Sequence, residues 1–95
     1  MRILVVGASG TIGRAIVAAF QSQHEVIAAS RLSLDAPVDI EKPASIREMF
    51  RRTGKVDAVV SAAGQAKYAP LANLTDADFK YSLENKLVGN INLVR

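Results

Sequence analysis

Cysteine is absent from this 95-residue chain, and histidine occurs once, at His24. Without thiols there is no disulfide framework and no thiolate zinc site, and one imidazole supports neither a metal cluster nor a Ser-His-acid triad. His24 falls in an expected helix-to-strand turn and reads as a solvated surface residue. Aromatic residues are only 5% of the chain, so no stacking platform for nucleotide bases accompanies its basic side chains. No apolar run approaches the roughly 18 residues of a membrane span, and the N-terminus enters a strand pattern directly, without a secretory cleavage signal. The expectation is a cytoplasmic protein with no membrane partner.

Charge excludes less. Twelve Lys and Arg against nine Asp and Glu leave a formal +3, a mild excess that suits an anionic ligand. The densest basic cluster, Arg47, Arg51, Arg52 and Lys55, lies on and just after one expected helix among Glu48 and apolar residues. That is the pattern of a solvated helix face, and nucleic acid is not an expected partner. Hydrophobic residues make up 49% and charged residues 22%, ordinary for a globular chain. The length supports one small domain that buries roughly 60–65% of its unfolded surface.

What is present is the run ILVVGASGTIG at residues 3–13. Ile3 to Val6 suit a strand buried on both faces, as in a parallel sheet with helices on either side. Gly7, Gly10 and Gly13 follow at spacings of three, and a helical pattern begins near Thr11. Glycines there let the backbone turn sharply and approach an anion, while the helix offers unpaired N–H groups and its positive dipole end. A strand, a glycine turn and a helix inside a βαβ unit form the context of a dinucleotide phosphate site. No Lys-Ser/Thr pair follows the third glycine, which disfavours a P-loop phosphotransferase.

The rest of the chain alternates strand and helix. A first helix is expected over residues 11–22, with Ile12, Ala15, Ile16, Ala19 and Phe20 as its apolar face. Strands are expected at 25–30, at 38–40 and at 56–63. Between the last two, Pro43 opens a helix with a buried stripe of Ile46, Met49 and Phe50, ended by Gly54. Thr75 and Asp78 resemble a capping box for a final helix, whose stripe is Phe79, Leu83, Leu87, Ile91 and Val94 and which runs to Arg95 with no stop signal. The expected fold class is α/β: a doubly wound, Rossmann-type parallel sheet in the order 3-2-1-4 with helices on both faces. Strand 4 would lie on an edge although VDAVVSAA carries no protective Lys or Pro. A further strand or a partner chain is therefore expected to cover it, and residues 1–95 read as the N-terminal part of a longer single-domain protein.

The end of the second strand bears on cofactor choice. NAD-preferring folds usually place an acidic residue there, whereas this chain has Ala29-Ser30-Arg31. A hydroxyl and a guanidinium suit the 2′-phosphate of NADP, which a carboxylate would repel. NADP(H) is accordingly expected in preference to NAD(H), with Ser30 and Arg31 as its determinants.

ILVVGASGTIG, the short VDI at 38–40, VVSAAG at 59–64 and the helix beginning LTDADF together resemble the N-terminal half of short-chain dehydrogenases/reductases. The resemblance covers essentially the whole chain. It implies that Gly7, Ser9, Gly10, Thr11, Ile12 and Gly13 line the pyrophosphate and that Asp39 and Ile40 meet the adenine edge. Ala63 and Gly64 would flank the nicotinamide-side ribose. It also implies a small carbonyl or alcohol substrate in the full-length form and a homodimer formed through the last helix.

Three departures qualify it. The glycine spacing GxxGxxG is that of extended or divergent members. Ser61-Ala62-Ala63-Gly64 replaces the family's Asn-Asn-Ala-Gly, losing both amides. Lys86, three residues before Gly89, takes the place of the family's catalytic Asn, as either a polar replacement or a surface lysine; Asn85 is adjacent but turned about 100° away on an α-helix. The family's chemistry further needs a Tyr with a Lys four positions later, the Lys lowering the Tyr pKa. Here Tyr68 is followed at that spacing by Ala72, and Tyr81 by Asn85. Two functional readings follow: the cofactor-binding half of an NADP-dependent oxidoreductase lacking the Ser/Tyr/Lys group, or a non-catalytic NADP-binding sensor or assembly module.

Overall fold

The computed structural model describes residues 1–95. Four parallel strands, β1 (Arg2–Val6), β2 (Glu25–Ser30), β3 (Ala36–Pro37) and β4 (Ala58–Ser61), form one sheet in the order β3-β2-β1-β4. Helix α1 (Thr11–Phe20) follows β1 and α2 (Pro43–Thr53) follows β3; after β4 come a short 3-10 turn (Leu71–Asn73) and a long final stretch made of α3 (Asp76–Ser82), a π-helical segment (Leu83–Val88) and α4 (Gly89–Val94). No helix is long and apolar enough to cross a membrane.

Alternation along β1 divides the core. Leu4 and Val6 point to one face, where they pack with Ile46 and Met49 of α2 and Leu93 of α4. Ile3 and Val5 point to the other, against Ile16 and Val17 of α1. Strand β1 is thus covered on both sides, which explains its unbroken apolar run.

Several boundaries and faces differ from expectation. The third strand is Ala36–Pro37, not residues 38–40. Its ladder to β2 pairs Ala36 with Ala29 and Pro37 with Ser30, and a proline without an N–H is tolerated on this outermost strand. Val38 and Ile40 are buried in the core, but the Asp39 N–H turns to the Ser45 hydroxyl (2.8 Å) and leaves the ladder. Strand β4 is shorter than residues 56–63, although the Asp57 and Ala62 amides still donate to Arg2 and Val6 carbonyls at 2.8 Å.

On α1, which ends at Phe20 rather than residue 22, Ile12, Ala15 and Ala19 are exposed, and the covered face is Gly13, Ile16 and Val17. Gly13 fixes that phase. A Cβ on Gly13 would stand 2.8 Å from the Ala8 Cα and closer still to the Gly7 carbonyl, so the helix must turn this residue inward. Residues three and four further on follow it.

The second helix behaves as its sequence indicates, opening at Pro43 with Ile46 and Met49 buried and Gly54 at its end. The Thr75/Asp78 capping box is also present, with Asp78 N–H donating to Thr75 Oγ1 (3.2 Å) and Thr75 N–H to Asp78 Oδ2 (3.0 Å). His24 is half-buried, its Nδ1 lying 3.3 Å from the Met1 ammonium.

The final helix overturns the expected stripe. Phe79, Leu83, Leu87, Ile91 and Val94 are all exposed, while Asn85, Gly89 and Leu93 are buried. Gly89 sets this face. A Cβ there would lie 2.8 Å from the Ile40 Cδ1, so only glycine lets the helix approach so closely.

Candidate functional site

The strand order reverses between β1 and β4, and the C-terminal ends of β1, β2 and β4 open onto a cavity of about 440 Å³. Crevices at such switch points are the usual ligand sites of open α/β sheets. Of the residues singled out in the sequence, Gly7, Ser9, Gly10, Ser30, Arg31, Ile40, Ala63 and Gly64 line this cavity.

The glycine turn forms one wall. Gly7 has φ +84°, and a Cβ on it would stand 2.7 Å from the Ala62 carbonyl carbon. Strand β1 therefore passes β4 too closely here for any side chain. Helix α1 begins after Gly10 with no side-chain cap and no acidic residue in its first turn. Its first N–H groups, at Thr11, Ile12 and Gly13, have no intrahelical carbonyl to bond. Thr11 and Ile12 are exposed and off the cavity wall, Gly13 is buried beneath the turn, and any role they have is through the backbone.

At the opposite end, Ser30 and Arg31 emerge from β2. The Arg31 Nη2 lies 3.3 Å from Glu41 Oε2 and 3.7 Å from Asp39 Oδ1. Asp39 itself is off the cavity wall. Its Oδ1 accepts the Glu41 N–H at 3.1 Å, the local capping role expected of an Asx turn.

The third wall is where the sequence reading was least complete. Asn85 is 4% exposed and lines the cavity, and its Oδ1 accepts the Gln65 N–H at 2.5 Å. Lys86 is exposed, its Cγ packing near Gly64. Asn85 stands four residues before Gly89 and eight before Leu93, a helical spacing that puts all three on the inward face.

Asn90 adds a second clamp: its Oδ1 accepts from Ser61 Oγ (2.6 Å) and its Nδ2 donates to the Ala63 (3.3 Å) and Lys86 (2.8 Å) carbonyls. The amides missing from the loop at 61–64 thus have counterparts on the facing helix. Gly64, at φ +120°, lets the loop lie against that helix. The available signal was Asn85 and Asn90, four residues before and one residue after Gly89.

The sequence model of the NAD dependent epimerase/dehydratase family matches residues 3–95. The chain belongs to that family. Among solved structures, this epimerase/dehydratase family member is similar to the protein lin1944 from Listeria innocua, with 47% identity and a TM-score of 0.93 over 99% of this chain and 47% of that one. It is also similar to a serine dehydrogenase complexed with NADP+ (26% identity, TM-score 0.87, 100% of this chain and 46% of that one). A short-chain dehydrogenase from Leptospira borgpetersenii with bound NAD+ shares the fold at 23% identity (TM-score 0.83, 98% and 42%). The chain spans about half the length of these proteins. No curated protein sequence matches it. The short-chain dehydrogenase resemblance and the Rossmann-type sheet order are both borne out.

Proposed function

We propose that residues 1–95 form the dinucleotide-binding part of a nicotinamide-dependent oxidoreductase, with NADP(H) preferred over NAD(H). The observation that carries this reading is the glycine turn. At Gly7 and Gly13 a Cβ would overlap backbone, and the uncapped first turn of a ten-residue helix stands beside a cavity at the strand switch point. Such a cradle fits a pyrophosphate, which needs close backbone approach and N–H donors rather than side chains.

In this reading the amides of Ser9 and of Thr11 to Gly13 hold the pyrophosphate, and Ser30 and Arg31 bind the 2′-phosphate. Ile40 gives the adenine an apolar wall, and Ala63 and Gly64 flank the nicotinamide-side ribose. Asn85 and Asn90 position the 61–65 loop that carries them. When bound, the cofactor supplies the hydride donor or acceptor for a carbonyl or alcohol substrate. The similar structures include one complexed with NADP+ and one with bound NAD+, so the preference rests on Ser30 and Arg31. Calorimetric titration of the chain with NADPH and NADH tests the proposal. Saturable binding of both, tighter for NADPH, is expected; binding of neither contradicts it.

A further inference from the structure

Arg31 is already engaged at the cavity mouth. Glu41 and Asp39 share its guanidinium, and their side chains are 26% and 27% exposed against 53% for Arg31. The carboxylates sit on a fixed turn. The Glu41 N–H donates to Asp39 Oδ1 at 3.1 Å, the Lys42 N–H to the Asp39 carbonyl at 3.0 Å, and the Asp39 N–H to Ser45 Oγ at 2.8 Å. One cation on the cavity wall faces two anions that stand just off it.

Resting on the cofactor reading above, we propose that Glu41 is a specificity-determining residue that competes with the ribose 2′-phosphate for Arg31 and so limits the preference for NADP(H) over NAD(H). The chemistry is asymmetric. A 2′-phosphate must take guanidinium donors from Glu41 or share them, and it brings negative charge toward a carboxylate. A 2′-hydroxyl brings no charge and leaves the Arg31–Glu41 pair in place. Glu41 is nearer to Arg31 than Asp39 is, and its carboxylate has no other hydrogen-bond donor in the structure.

The test is a double-mutant cycle on the 95-residue chain. Glu41→Gln and Arg31→Met, singly and together, are titrated with NADPH and NADH. An exposed ion pair is worth up to about 1 kcal/mol, so Glu41→Gln is expected to tighten NADPH roughly threefold to fivefold. NADH affinity should stay within about twofold, which also reports that the variant is folded. In the Arg31→Met background the gain should largely vanish. Unchanged or weaker NADPH binding by Glu41→Gln overturns the inference while leaving the cofactor site standing. An equal gain in both backgrounds also overturns it, because Glu41 would then act without Arg31. Failure of the unsubstituted chain to bind either nucleotide overturns the cofactor reading and this inference with it.

Discussion

The Asn85 side chain accepts the Gln65 main-chain N–H across the cavity edge, so a π-helical turn in the last helix is tied to the loop that closes β4. This makes Asn85 the positioning residue of that wall, although Lys86 is the residue that stands three before Gly89, at the place of the family's Asn. Replacing Asn85 by Ala removes a buried acceptor and leaves the Gln65 amide unpaired, at a cost of about 1–3 kcal/mol. For a chain of this size the melting temperature should fall by roughly 4–8 °C per kcal/mol. Lys86→Ala, at an exposed position, should stay within about 0.5 kcal/mol. Urea unfolding of the two variants distinguishes them, and equal losses would contradict the assignment.

The glycines of the first turn should respond unequally. Gly13→Ala drives a methyl group into the Gly7 carbonyl and the Ala8 backbone, neither of which can rotate away. A loss of about 1–3 kcal/mol or more is expected, together with loss of NADPH binding. At Gly10 the nearest atom to a new Cβ is the Gly7 carbonyl oxygen at 3.6 Å, an ordinary contact. Gly10→Ala should therefore lose only about 1 kcal/mol or less, as a poorer N-cap. Denaturation midpoints and NADPH titration read both effects.

Ser30→Asp places a carboxylate on the cavity wall beside Arg31. It should weaken NADPH by roughly tenfold, the scale of a hydrogen bond to a charged group, while NADH is unchanged or tightened. Competition binding of the two nucleotides checks this, and parallel changes for both would remove Ser30 from the specificity site.

On the outer face of α2, the Arg51 guanidinium hydrogen-bonded to Glu48 (2.6 and 2.9 Å) holds the Glu48 carboxyl below its ordinary pKa. A depressed folded-state pKa means that the pair contributes stability above the unfolded-state pKa and loses it as pH falls through the folded one. The difference in urea midpoint between the wild type and Glu48→Gln should thus hold at neutral pH and close as the pH falls below the ordinary carboxyl value of about 4.5. A difference that persists or widens in acid contradicts this sign. Both side chains are exposed to solvent, so the pair's contribution is small and should shrink further with salt.

Strand order, the glycine turn, α2 and the Thr75 capping box were legible because each is carried by local chemistry: period, proline, glycine or a reciprocal side-chain bond. The phases of α1 and of the last helix were not. Hydrophobic period identifies which face of a helix is apolar, but Gly13 and Gly89 decide which face approaches another element. At Gly89 the side of contact is the one with almost no side chain, opposite Ile40. Asn85 was hidden for a related reason. It shares a face with Gly89 and Leu93, four and eight residues further on, whereas the apolar stripe marks a different face. The third strand was misplaced because Val38 and Ile40 are as buried as strand residues, while the ladder itself ends at Pro37.

The central claim is that the glycine turn and the strand ends around it hold a dinucleotide. The most direct measurement is a nitrogen–proton correlation spectrum of the labelled 95-residue chain titrated with NADPH. Saturable shifts should concentrate at the amides of Gly7 to Gly13, Ser30, Arg31, Ile40 and Ala63 to Gln65, and the α2 residues Arg47 to Arg52 should stay unmoved. Shifts centred on that basic helix face, or a folded spectrum that does not change, would contradict the account.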